Sequence, residues 1–314
     1  MFNRLHFTMV VVTGAAAMFG VACSSGDSPG AGGSGGGATS SASSGSGGSG
    51  GVGGMVNLNP SKGCGATPGI KGEQLQVIDV AGQKRAYVIS VPMGYTGKDP
   101  LSLVFVFHER AGDAGTIKSA LPIEAKAGEK AIFVYPNGQP QAIANNDTGW
   151  ELQSAVTEAG NDVLLVDALV SSISDTYCLN TKRVFAAGFG FGGELVDTLG
   201  CYRGDVVRGI APIAGGDVFH DEFCKGTPAA WIAHGKDDVT IGYDKFAIPS
   251  RDHWLTVDGC GMTPAPTDPA PCESYAGCKA GTAVTFCGHS GLGGHVIPDF
   301  APQAIWDFFA LLPD

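Results

Sequence analysis

Arg183–Cys201 reads RVFAAGFGFGGELVDTLGC, and the reading of this stretch decides the fold. Arg183–Ala187 is a short apolar run with the look of a buried strand. Gly188, Gly190, Gly192 and Gly193 follow, and Glu194–Leu199 then takes up helical spacing. Strand, glycine-dense turn and helix form the setting of the nucleophile elbow, G-x-S-x-G, where a serine is held on a sharp turn above a sheet. The spacing is kept here, but the central residue is Gly190. Gly188–Gly193 also fits the dinucleotide fingerprint G-x-G-x-x-G, which normally follows the first strand of a βαβ unit. Several strand-like runs precede it and the chain begins with an export signal. A degenerate elbow is therefore the favoured reading, ahead of a dinucleotide site or a plain structural turn.

The neighbouring segments supply a sheet for that elbow. Leu75–Val80 and Arg85–Pro92 alternate apolar and polar residues, as an antiparallel hairpin at a sheet edge does. Leu101–His108 is nearly all apolar, as expected of a strand covered on both faces, and Ala131–Tyr135, Val207–Ile213, Ala230–His234 and Val284–Cys287 read as further buried strands. Asp162–Ser174 and Pro302–Leu312 carry apolar residues at helical spacing. Buried strands alternating with helices predict an α/β fold, with a mainly parallel central sheet and helices on both faces in a single domain.

The chain has 314 residues, but its first fifth is not part of that domain. Met1–Ala22 has Arg4 near its start and an apolar run to Phe19, the pattern of a secretory signal and too short for a membrane span. Cys23 follows a small-residue cleavage site, as in a lipoprotein box, with plain secretion as the alternative. Residues 23–56 are then a lipidated cysteine and a glycine/serine-rich tether, spanning about 30 Å for a flexible coil of roughly 31 residues. The globular domain occupies 57–314. Nine cysteines, less Cys23, leave Cys64, Cys178, Cys201, Cys224, Cys260, Cys272, Cys278 and Cys287. An even set in an exported chain implies four disulfides, with about a hundred pairings open. No C-x-x-C pair accompanies a histidine cluster, so no metal and no cofactor are expected. A formal charge of −11 argues against nucleic acid as a partner, and leaves the lipid anchor as the expected membrane contact.

Taken together, these segments resemble the α/β-hydrolase enzymes grouped as polyhydroxybutyrate depolymerase and feruloyl or acetylxylan esterase, over roughly Ser61 to Phe309. The matching stretches are Ser61–Gly65, Phe107-His108-Glu109 in place of a strand ending His-Gly, Gly149-Trp150, Asp162–Leu169, Cys178–Gly193, His234–Asp238 and the glycine-rich lead-in Gly291–His295. The resemblance implies that Asp238 is the orienting carboxylate and His295 the general base, with Asp237 and His289 as rivals. It implies an oxyanion hole at Glu109 and Phe191, and contacts to substrate from His108 and Trp150, although Trp150 could equally fill the core.

Two departures touch the chemistry. Gly190 offers no nucleophile, and loss of the serine costs about 10⁶ in turnover in a subtilisin-type site. Glu109 replaces the glycine of the oxyanion loop, where a carboxylate opposes charge developing on the substrate, unless Arg110 neutralises it. The resemblance thus implies a weak or inactive esterase that keeps a cleft for an ester-bearing polysaccharide, an aromatic ester or a polyester. It would be a monomeric pseudoenzyme, exported as a periplasmic or surface lipoprotein, or secreted. The alternatives are a hydrolase using activated water or another nucleophile (Ser154, Ser290 or Thr240), and a non-enzymatic binding protein.

Overall fold

Residues 59–314 are described by the structure, a computed structural model, apart from 68, 142–144, 152–158, 217–222 and 292. The signal, Cys23, the tether and Ser154 lie outside the described residues.

Alternation along the strands builds two cores. In β3 (Leu101–Phe107), Leu103, Phe105 and Phe107 face one side of the sheet, and Val104 and Val106 the other. All five are fully buried, so the continuous apolar run is what a strand covered twice requires. The helices α3 (Asn161–Thr176), α4 (Phe191–Tyr202) and α5 (Ile248–Val257) cover the first face, and α1 (Ala114–Ala120), α2 (Ile123–Ala127) and α6 (Ala301–Leu311) the second.

Beside β3 run β4 (Ala131–Pro136), β7 (Leu179–Phe189), β8 (Val207–Ile213), β9 (Ala229–Gly235) and β12 (Val284–His289), in the order β4-β3-β7-β8-β9-β12 and parallel throughout. The hairpin β1 (Gly72–Val80) and β2 (Gln83–Val91) joins antiparallel at one edge through β2 and β4. At the other edge β11 (Cys272–Tyr275) and β10 (Pro264–Pro266) add antiparallel to β12. Between β4 and α3 lies a separate short ribbon, β5 (Gln139–Pro140) with β6 (Thr148–Gly149).

The expected strands and helices are all present, with β7 and α4 longer than the pattern indicated. The helices α1, α2 and α5 and the strands β10 and β11 went unread. They are short or weakly amphipathic, and β10 is an exposed proline-bounded edge.

The eight cysteines pair as Cys64–Cys178, Cys201–Cys224, Cys260–Cys278 and Cys272–Cys287. The first ties the start of the domain to the end of α3, across 114 residues.

Candidate active site

Four parallel strands end on the same side of the sheet, and each delivers one part of the site. Phe107 of β3 leads to Glu109, Phe189 of β7 to Gly190, Gly235 of β9 to Asp238, and His289 of β12 to His295. The carboxyl ends of the strands are where an open α/β sheet leaves room for a ligand.

The elbow is present in full, except for its side chain. Gly190 has φ +54° and ψ −119°, in the region that strains any residue with a Cβ. Its N–H donates to the Ile213 carbonyl (2.9 Å), and its own carbonyl accepts from the Glu194 N–H (3.0 Å). Gly192 has no space for a Cβ against the Phe107 carbonyl, so the end of β3 closes directly onto the start of α4. That close approach sets the loop after β3 over the turn.

His295 stands above it. Its Nδ1 lies 2.7 Å from Asp238 Oδ2, and its ring rests on Phe189 at 4.8 Å between centroids. The other Asp238 oxygen accepts the backbone N–H groups of Thr240 (2.8 Å) and Ile241 (2.9 Å). Burial works against charge on Asp238, but the His295 bond and those two donors outweigh it and hold the carboxyl below its ordinary pKa. His234, buried beneath, donates from Nε2 to the Ile241 carbonyl at 2.7 Å and lies 3.3 Å from Asp238 Oδ2. The bond to His295 runs to Asp238 and not to the adjacent Asp237. His289 is buried at the end of β12 with neither ring nitrogen hydrogen-bonded.

The space over Gly190 is filled. A Cβ built on Gly190 would overlap Oε2 of Glu109. That oxygen accepts the Phe191 N–H at 3.2 Å and lies 3.2 Å from His295 Nε2. The reading at Glu109 concerned a backbone donor of an oxyanion hole; its carboxylate lies over the elbow, at the N-terminus of α4, where an anion is favoured. Phe191, expected as the second donor, spends its N–H on that carboxylate. Arg110 does not neutralise Glu109: it pairs with Asp147 at 2.9 Å.

Burial lowers the pKa of His295, but the hydrogen bonds to Glu109 and Asp238 outweigh it, and the imidazole sits above its ordinary value. Below the turn, Glu194 is buried and its Oε2 has no hydrogen-bond partner among the described residues. Burial, with the charges of Glu109 and Asp197 adding to it, pushes this carboxyl up to about 8.

His108 and Trp150 are corrected from substrate contacts to scaffold. Their relative exposures are 1 % and 0 %. The Gly138 N–H donates to His108 Nε2 (2.9 Å), which leaves the proton on Nδ1 to donate to the Glu109 carbonyl (2.7 Å). Burial lowers the pKa of His108 and keeps it neutral. The Trp150 indole donates to the His108 carbonyl at 2.8 Å and packs edge-on against Phe107. Both side chains therefore fix the turn that carries Glu109.

The same helix-start anion position argues against the dinucleotide reading: a protein carboxylate already stands where a pyrophosphate would be cradled.

Strand order, a sharp elbow between β7 and α4, and an aspartate–histidine pair from the next strand ends together settle the architecture. The chain has the α/β-hydrolase fold. Among solved structures, it is similar to an acetyl xylan esterase from Aspergillus awamori, with a TM-score of 0.62 at 15% identity over 75% of this chain and 99% of the other. A thermostable esterase gives 0.56 at 16% identity, covering 77% of this α/β-hydrolase chain and 63% of that one. In sequence it is similar to feruloyl esterase D of Neurospora crassa, 27% identical over 277 residues, or 80% of this chain and 90% of the other. Feruloyl esterase C of Emericella nidulans is 29% identical over 269 residues, 79% and 90% of the two chains. No protein-family model matches the chain.

The contact of the Glu109 side chain with the turn and with His295 is what the sequence reading did not foresee. The signal in the sequence was the pairing of Gly190 at the centre of the turn with Glu109 after β3. Only the tertiary structure puts the two in contact.

Proposed function

We propose that this is an exported, ester-directed protein of the feruloyl and acetylxylan esterase kind from which serine-type hydrolysis has been lost. One observation carries the reading: the Asp238–His295 hydrogen bond is kept, and the imidazole is aimed at a turn that holds a glycine. A pair of this kind has a use only beside a group that gives or takes a proton. The feruloyl esterase relatives support an ester of plant polysaccharide as the ligand. The signal at Met1–Ala22, lipidation at Cys23 and the tether to residue 56 form part of the same reading. Four disulfides agree with an oxidising compartment.

The test restores what is missing. Gly190→Ser alone places its side chain against the Glu109 carboxylate, which must swing aside and remains near the oxyanion position. The double variant Gly190→Ser/Glu109→Gly supplies the nucleophile, clears its space and frees the Phe191 N–H. Hydrolysis of a feruloyl sugar ester by the double variant should exceed both the native protein and the single variant by about 10²-fold or more, the scale of one oxyanion donor regained. A double variant that folds but hydrolyses no ester would sink this reading.

A second reading, hydrolysis without serine, is favoured by the position of Glu109 and is taken up next.

A further inference from the structure

We propose that Glu109 is itself the nucleophile of this site, acting on esters whose leaving group is a phenol. This rests on the ester-directed reading above and names the chemistry that the native chain keeps. The geometry places a carboxylate oxygen over the elbow, 3.2 Å from His295 Nε2, with Asp238 on the far side of the imidazole at 2.7 Å. The order Asp238, His295, Glu109 reproduces a catalytic triad whose third member comes from the loop after β3. The site is open enough to be reached, since the side chains of Glu109 and His295 are 27% and 18% exposed. The turn carrying Glu109 is fixed by the Gly112 N–H on the Glu109 carbonyl (2.9 Å), by the His108 ring on the same oxygen, and by the Ala111 N–H on the Thr148 carbonyl (2.8 Å). A nucleophile needs such a fixed mount.

The proton inventory also matches. A serine site begins with a hydroxyl proton that neutral histidine removes and later gives to the leaving group. A carboxylate arrives without a proton, so the histidine must already hold one, and hydrogen bonds to two carboxylates favour that state. In the first step a Glu109 oxygen bonds to the acyl carbon of the ester. The acyl C–O bond breaks, and the departing aryl oxygen takes the proton from His295. The products are a free phenol, neutral His295 and a mixed anhydride between the acyl group and Glu109. As Glu109 loses its charge, the Phe191 N–H is released to the developing oxyanion. In the second step neutral His295 takes a proton from water, the hydroxide bonds to the anhydride, and the C–O bond to one carboxylate breaks. Carboxylate product, Glu109 carboxylate and protonated His295 result, with one proton released to solvent.

Leaving-group strength sets the substrate class. The tetrahedral intermediate expels its weaker base, and a carboxylate of pKa about 4.3 leaves more readily than an alkoxide. A phenol, at about 10, is close enough for protonation by His295 to carry it off. A sugar hydroxyl is a poorer leaving group, so sugar esters bind and return unchanged.

The test compares the native protein with Glu109→Gln and His295→Ala on p-nitrophenyl acetate and on a matched ethyl ester, in water enriched in oxygen-18. Circular dichroism establishes that each variant is folded. The native protein should hydrolyse the aryl ester and not the ethyl ester, and Glu109→Gln should fall by about tenfold or more, to the His295→Ala rate. Acid-quenched native protein should carry an acetyl group, or oxygen-18, on the peptide containing Glu109. Three results overturn the proposal: a native rate no higher than His295→Ala, an undiminished Glu109→Gln, or a diminished Glu109→Gln with neither adduct nor label on Glu109. The Gly190→Ser/Glu109→Gly variant separates the two readings. If it hydrolyses esters while the native protein fails these criteria, the cleft reading stands and only the Glu109 assignment falls.

Discussion

At the scale of single residues, the site turns on the Glu109 carboxylate lying over the glycine of the elbow. A side chain at 190 would displace the Glu109 carboxylate, because its first atom meets Glu109 Oε2. Glu109 and Asp238 together favour the charged form of His295. Its folded pKa is raised by the hydrogen bonds to Glu109 and Asp238, so the stabilisation it gives is complete below the unfolded value of about 6.5. That stabilisation is lost as pH rises through the folded pKa. Glu109→Gln should bring the His295 midpoint down, read from its ring proton shifts by NMR, and a midpoint that does not move would show that the contact is not formed in solution. Glu194 makes a separate claim. A carboxyl raised to about 8 holds its proton more tightly folded than unfolded. Its contribution is full below about 4.5 and lost as pH climbs to about 8. Glu194→Gln, neutral at every pH, should flatten the stability profile over that window. By urea unfolding the variant should gain of order 1–3 kcal/mol on the native protein at alkaline relative to acidic pH, the scale of an unpartnered buried polar group.

At the scale of elements, the loop after β3 depends on its neighbours for its shape. β3 supplies Phe107 and His108, β6 and the residue after it supply Thr148 and Trp150, and the turn after β4 supplies the Gly138 N–H. Trp150→Phe keeps most of the packing but leaves the His108 carbonyl without its indole donor. A loss of about 1–3 kcal/mol should follow in urea unfolding, together with a shift in the Glu109–His295 contact. Trp150→Ala, which also opens a cavity, should cost about 3–5 kcal/mol. A loss of ligand binding in that variant would thus report the scaffold and not a missing contact. Further out, Arg85 of β2 and Asp162 of α3 form a fully buried ion pair at 2.7 Å, and the second Asp162 oxygen accepts the Glu151 N–H. Arg85→Ala should therefore destabilise by about 3–5 kcal/mol, as loss of one partner leaves a buried carboxylate uncompensated.

At the scale of the whole molecule, the Cys64–Cys178 link closes the longest loop of the four and should matter most to the unfolded chain. Replacing both cysteines by alanine should cost about 2–5 kcal/mol in denaturant, more than the same change at Cys260 and Cys278, whose separation is 18 residues. Much of this architecture was legible in one dimension. Runs such as Leu103–Phe107 and Ala131–Tyr135 are apolar at every position, as a doubly covered strand requires. The Gly188–Gly193 spacing located the elbow, and the resemblance to a family, not the spacing, pointed to Asp238 and His295, which the structure brings together. What chain order could not carry was through-space occupancy. Trp150 and His108 sit beside the site in sequence pattern, yet fold inward because their polar atoms find backbone partners there. Disulfide pairing was equally hidden, since spacing along the chain does not say which sulfurs meet. By itself, then, the sequence determined the sheet and the elbow, because periodicity and glycine spacing are local constraints on backbone and burial, while Asp238 and His295 were singled out only through the resemblance to a family. Only the tertiary structure decided what fills the gap at Gly190, because a carboxylate 81 positions earlier comes over the turn through the packing of β3 against β7 and α4.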